Sequence, residues 1–492
     1  MRKVLLLGIT ALCMTGCGSF SKESVVPELP SEQISVFASS DKQLENAYHW
    51  AKKMALSYTH DNSDPVGYWY EAALPQREAF CMRDVSHQSV GAQILGLAKH
   101  NKNMFMRFAE NISEEKDWCT YWEINRYNKP ASADYNNDKE FWYNLNANFD
   151  VMQACLKMYE WTGDEDYLTH PQFTNFYDRS VNEYVQRWGL EPEKIMDRPP
   201  YMNQSEDFNP DNNFHTCRGL PSYVENFRGL TVGVDLLATI YAGFNAYAEM
   251  TAIAGNQEKA VEAAAKAVDY QHILEEKWWN ADSTFYQTFW TEDRQFYRGE
   301  GVPFILWFDA TKNVERIRAS VDDILQREWN VENMSAFPAL FYRLGYYDEA
   351  YRFLTSLPQM NRSEYPEVSY GIIEGTVGGV MGINPQIRDH SITTCSRLPA
   401  ETQEAEIKNV PVFDGYITVK HIGRQSTEIM NNTTKDLIWK VAFIGEYSLI
   451  EANDQVYPAV LTQDVFGNVI SEACIPLSAN TKMKAEFLPV SN

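Results

Sequence analysis

Positive charge is scarce in this chain. Lys and Arg number 43 against 67 Asp and Glu, for a formal net charge of −24. No basic tract breaks that balance, which argues against a nucleic-acid partner. Long apolar runs are also missing: only Val4 to Met14, behind Arg2 and Lys3, reads as one, and it is too short to cross a bilayer as a mature helix. The cysteines at 81, 119, 155, 217, 395 and 474 lie far apart with no C-x-x-C spacing, which argues against zinc, and no metal or other cofactor is expected. Self-similarity at a fixed period is weak, which disfavours a regular solenoid. An apolar content of 44% excludes general disorder and leaves material for a large core.

The N-terminal run ends Met14-Thr15-Gly16-Cys17, which resembles a bacterial lipobox. The expectation is a signal peptide over 1–16, lipidation at Cys17 and a tether over 17–40 rich in Ser, Lys, Glu and Pro. The protein would then sit in the cell envelope, touching the membrane through that anchor only.

The stretch 229–289 organises the rest. Leu237, Ile240, Tyr241, Phe244, Tyr247 and Met250 recur at spacings of three and four, as in a helix facing a core. After Gly255-Asn256 a narrower stripe follows: Ala260, Ala263, Ala267, Ile273 and Leu274, beside Glu258, Lys259, Glu262 and Lys266. An apolar helix followed by a one-sided one is an αα-hairpin with an inner and an outer member. Residues 336–357 repeat the scheme around Gly345. Further helical patterns run over 41–58, 87–100, 102–112, 146–161, 173–188, 314–326 and 371–381. Consecutive hairpins of this kind predict an all-α (α/α)6 toroid over 41–405, with a superhelical array as the alternative. From residue 409 to 492 the pattern turns to alternating β-rich runs, such as 415–423 and 436–445, with Asn and Gly turns between them. This predicts a small C-terminal β-rich domain.

Aromatics make up 13% of the residues, with 13 Trp and 28 Tyr. Rings suit both core packing and flat sugar faces. Long loops between hairpins are where chemistry would lie. One holds Trp69 and the sequence Met82-Arg83-Asp84, in which an Arg fork and a fixed carboxylate suit vicinal hydroxyls. A second runs from Trp118, Trp122 and Glu123 to Trp142 and Asn146. A third holds Asp207 and Asp211 with Arg228 downstream, and a fourth holds Glu364 and Glu367. Carboxylates from the third and fourth loops could supply the acid and base of glycoside hydrolysis; a separation of roughly 6.5–9.5 Å would mean inversion.

The motifs also resemble a known group of enzymes. Gly233-Val234-Asp235-Leu236-Leu237-Ala238 resembles the P-[IV]-D-L-N-A segment that opens an inner helix in trehalases. Met82-Arg83-Asp84 resembles the R-D signature of glycogen-debranching and processing α-glucosidase enzymes, and Tyr143 to Asp164 resembles their hairpin ending in T-G-D. Over roughly 70–385 the chain is thus similar to the six-hairpin glycosidase superfamily. The resemblance implies an (α/α)6 barrel, an exported hydrolase of an oligo- or polysaccharide, and Arg83 and Asp84 on the terminal sugar. By motif position the acid would be Asp207 or Asp211 and the base Glu364 or Glu367, although the family's E-K-Y segment is absent. Trp69, Trp118, Trp122 and Trp142 would line subsites. Two alternatives remain on the same toroid: a polysaccharide lyase or unsaturated-uronyl hydrolase using His87, His215 or Tyr370, and a glycan-binding lipoprotein without catalysis.

Overall fold

The computed structural model describes residues 28–488 except 75, 205, 206 and 226. The proposed lipidation site Cys17 and its signal segment lie outside the described residues.

Twelve principal helices form the toroid: α1 (Lys42–Ser57), α2 (Met82–Ile94), α3 (Ala98–Ala109), α4 (Ala147–Thr162), α5 (Pro171–Arg179), α6 (Val234–Ile253), α7 (Gln257–Ile273), α8 (Val302–Trp307), α9 (Val314–Leu325), α10 (Phe337–Leu344), α11 (Tyr347–Ser356) and α12 (Pro366–Glu374). Even-numbered helices are inner and odd-numbered ones outer. The contrast in 229–289 is the clearest case: α6 buries 14 of its 20 residues, whereas α7 buries 5 of 17 along one stripe. A helix apolar all round belongs inside, and one with a single stripe belongs outside. The ring closes because α12 packs on both α2 and α1. Close approach at that seam requires Gly91, where a Cβ would run into the carbonyl of Tyr370. Gly243 plays the same part between α6 and α4, where a Cβ would come within 2.6 Å of the Phe149 side chain.

Two boundaries differ from the sequence expectation. The apolar run 87–100 is not one helix, because Gly96 at φ +82° turns the chain between α2 and α3. Helix α8 has no counterpart among the expected helices; its six residues are too few to show a period.

The C-terminal unit holds a seven-stranded and a five-stranded sheet. Phe443 of one meets Phe487 of the other at 5.6 Å between ring centroids, and inward residues such as Ile407, Val419, Trp439 and Ile475 are buried between them. The strands begin earlier than residue 409, at Asn384–Gln386 and Ser391–Cys395. The proposed tether is also corrected at its end: Val36–Ser39 pairs antiparallel with Glu404–Val412, which buries Phe37. This unit docks on the C-terminal ends of the inner helices. Phe466 N–H donates to Leu344 O at 3.0 Å, Phe413 N–H to Trp161 O at 2.8 Å, and Arg388 pairs with Glu160 and Glu249. The opposite end of the toroid stays open.

Candidate functional site

Links from an inner to the next outer helix are mostly short, while those from outer to inner are mostly long. The long loops therefore gather at the N-terminal ends of the inner helices. Short strands tie successive loops together, as where Ala79–Cys81 pairs with Glu123–Asn125. Asp84, Asp235 and Glu367 each fall in the first turn of an inner helix, where the helix dipole favours a carboxylate.

Between these ends lie three adjoining spaces. An inner chamber and a mouth share Arg83, Asp84, Tyr223, Glu332 and Glu367 as common wall. A side chamber opens from the mouth past Trp142 and Glu225 towards Arg228. Arg83 is the hub of the common wall. Its Nε lies 3.1 Å from Asp84 Oδ1 and its Nη2 3.8 Å from Glu332 Oε2, and the guanidinium lies 5.2 Å from the Tyr223 ring centroid. Glu332 Oε1 has a second cation, Arg362, at 3.4 Å.

Burial and mutual repulsion raise the pKa of several of these carboxyls. Glu367, 9% exposed, has its pKa pushed well up by burial and by Asp84, against the pull of Arg83. Asp84 is raised chiefly by burial, again opposed by Arg83. Glu225 reaches solvent yet is walled by protein, and burial raises its pKa with help from Glu332, Asp134 and Asp84. Asp235 is pushed up to about 7 by burial, although it accepts from Tyr223 N–H at 2.7 Å, the Ser222 hydroxyl at 2.9 Å and the Asn146 amide at 3.2 Å. Those bonds staple the loop that carries Glu225 to the start of α6.

The structure brings together part of the expected set. Arg83, Asp84, Glu367, Trp122 and Trp142 line the cleft, and Arg228 lines the side chamber. Asn146 sits behind the wall, fully buried, as a support for Asp235. Glu123 is likewise buried, 3.2 Å from Arg77, with its pKa raised by burial and by Asp134. The remaining residues stand apart. Trp69 is a core side chain stacked 4.0 Å from His60, and Trp118 lies under Arg179 at 4.8 Å. Asp207 and Asp211 are exposed on a surface loop and border none of the three spaces; Glu364 is also exposed, its carbonyl accepting from the Tyr58 hydroxyl. Of the elimination candidates, His87 borders the inner chamber, 3.4 Å from Asp150. His215 is taken up by Glu140 at 3.1 Å and Asn209 N–H at 2.9 Å, and Tyr370 is buried with its hydroxyl on Ala55 O at 3.3 Å.

Sequence reasoning passed over Glu332, Glu300 and Tyr223, and named Glu225 only as a neighbour of the third loop. Asking which carboxylates fall just before or just inside each inner helix would have found Glu332, near the start of α10, and Glu225, ahead of α6.

Solved structures with the same architecture include an α-L-rhamnosidase from Dictyoglumus thermophilum, at TM-score 0.61 and 9% identity, covering 93% of this chain and 50% of that one. A GH78 family rhamnosidase of Bacillus sp. GL1 matches at TM-score 0.56 and 11% identity over 82% of this chain and 41% of its own. A glycosidase solved in complex with glucose matches at TM-score 0.51 and 10% identity, over 69% of this chain and 99% of its own. The chain thus spans about half the length, or less, of the two rhamnosidases. No family model and no curated protein matches the sequence. At these identities the likeness is one of fold, and the chain has the six-hairpin (α/α)6 toroid fold with an attached β unit.

Proposed function

We propose that this protein is a glycoside hydrolase that removes a terminal sugar, with Glu225 as acid and Glu332 as base. The observation that carries the reading is the presence of two carboxyl groups, Glu225 and Glu332, on the lining of the mouth that also holds Arg83 and Asp84. Glu225, ahead of the third inner helix, has its pKa raised by burial and neighbouring carboxylates, which suits a proton donor. Glu332, ahead of the fifth, is flanked by the cations Arg83 and Arg362. Glycoside hydrolysis needs one carboxyl that gives a proton and one carboxylate that takes one.

In this reading Glu225 donates its proton to the glycosidic oxygen as the bond to the anomeric carbon breaks. Glu332 removes a proton from water as the water oxygen bonds to that carbon from the opposite face, which inverts the anomer. Exchange with solvent then returns the proton from Glu332 to Glu225. Arg83, Asp84 and Glu367 hold the sugar, and the leaving group departs past Trp142 into the side chamber. Glu367, one of the two residues that motif position offers as base, borders the same wall and competes for that role.

Glu225→Gln is expected to lower kcat about 10²–10⁴-fold on an unactivated disaccharide and far less on a glycosyl fluoride, whose leaving group needs no acid. Glu332→Gln should suffer on both. Wild-type-like turnover of both substrates by both variants would overturn the assignment. Elimination is the second reading, resting on His87 in the inner chamber, and would announce itself by the ultraviolet absorbance of an unsaturated product. Export with a lipid on Cys17 belongs to the same proposal and is tested by labelling with a radioactive fatty acid, which Cys17→Ala should abolish.

A further inference from the structure

Gln88 lies one helical turn beyond Asp84 on α2 and borders the inner chamber. It is 1% exposed, and neither of its amide atoms has a hydrogen-bond partner among the described residues. Glu367, on the adjoining helix α12, also has a buried Oε2 without a partner among the described residues. Buried polar atoms are nearly always paired, so such a cluster is costly in the free protein. An amide offers two donors and one acceptor, which is a match for a hydroxyl that both gives and takes a hydrogen bond. The same chamber is also lined by the apolar side chains of Phe304, Trp307, Ala339 and Leu340. A ring seated in it would find polar partners for its hydroxyls in Gln88 and Glu367 and apolar contact for its carbons in the aromatics.

We propose that Gln88 reads a ring hydroxyl of one pyranose bound in the inner chamber, and so sets which sugar the site accepts. This rests on the carbohydrate reading of the cleft. A site built to bond a hydroxyl rejects the analogue that lacks it far more strongly than an apolar pocket discriminates between shapes.

The full chain is titrated calorimetrically with D-glucose, D-mannose, D-galactose, L-rhamnose and L-fucose, and Gln88→Leu and Gln88→Met are compared with wild type. At least one sugar should bind wild type, and both variants should bind it ten-fold or more weakly. Among the monodeoxy forms of that sugar, one should bind wild type and variants alike. The free variants should melt at the same temperature or higher, because an unpaired amide has gone; a merely structural glutamine would give a lower one. The inference is overturned if no sugar binds wild type, if both variants bind as wild type does, or if their melting points fall while affinity holds. Turnover of 4-nitrophenyl glycosides is measured in parallel. Turnover that is indifferent to Gln88 leaves the hydrolase standing and removes this inference; Gln88-dependent binding without turnover does the reverse.

Discussion

Replacing Asp235 by Asn tests the electrostatics of the site through stability. The carboxyl is 1% exposed, and burial lifts its pKa from 3.8 to about 7. Between those values the folded protein keeps the proton that the unfolded chain has lost. Stability therefore falls as pH rises through the window and levels off above about 7. The whole effect is worth about 4 kcal/mol, of which roughly 2–3 kcal/mol falls between pH 5 and pH 8. Asp235→Asn has no proton to lose. Its remaining oxygen can accept from Tyr223 N–H and Asn146, and the Ser222 hydroxyl can turn to accept from the new amide. The other raised carboxyls, on Asp84, Glu225 and Glu367, are common to both proteins and cancel in the comparison. Urea unfolding of wild type and variant at pH 5 and pH 8 gives the difference directly. The variant should gain about 2–3 kcal/mol on wild type in going to the higher pH. A stability difference identical at the two pH values would refute the raised pKa, and with it the account of how the Glu225 loop is held.

Two further substitutions test packing against function. Gly91→Ala puts a methyl group into the Tyr370 carbonyl at the α2–α12 seam; it should cost about 1–3 kcal/mol by overpacking, even though Ala favours an exposed helix by about 1 kcal/mol, and a raised melting temperature would contradict the close approach. Trp69→Ala and Trp142→Ala separate core from cleft. The first, fully buried, should lose about 3–5 kcal/mol of stability. The second, on the mouth of the cleft, should raise KM for an oligosaccharide with little change in melting, and the opposite pattern would refute the placement of these rings.

The sequence alone was enough for the inner and outer character of α6 and α7, because helical periodicity and the width of an apolar stripe are local properties. It also pointed to Arg83 and Asp84, whose adjacent motif sits at a helix start on the lining of the cleft. It did not separate Trp69 and Trp118 from Trp122 and Trp142, since all four are aromatic residues between helices and only packing covers Trp69 and lays Trp118 against Arg179 away from the cleft. Nor did it reach Glu332. In Asn330-Val331-Glu332-Asn333 that residue reads like any acidic residue in a helix's first turn. Asp235 pointed back 24 and 28 residues, by family spacing, to Asp211 and Asp207. The loop folds outward there, and the nearer Glu225 turns into the cleft instead. Local pattern thus determined the elements and one motif. Ring closure decided the site, because it brings the entries of separate hairpins together on Arg83, and that proximity has no trace in the spacing of residues along the chain.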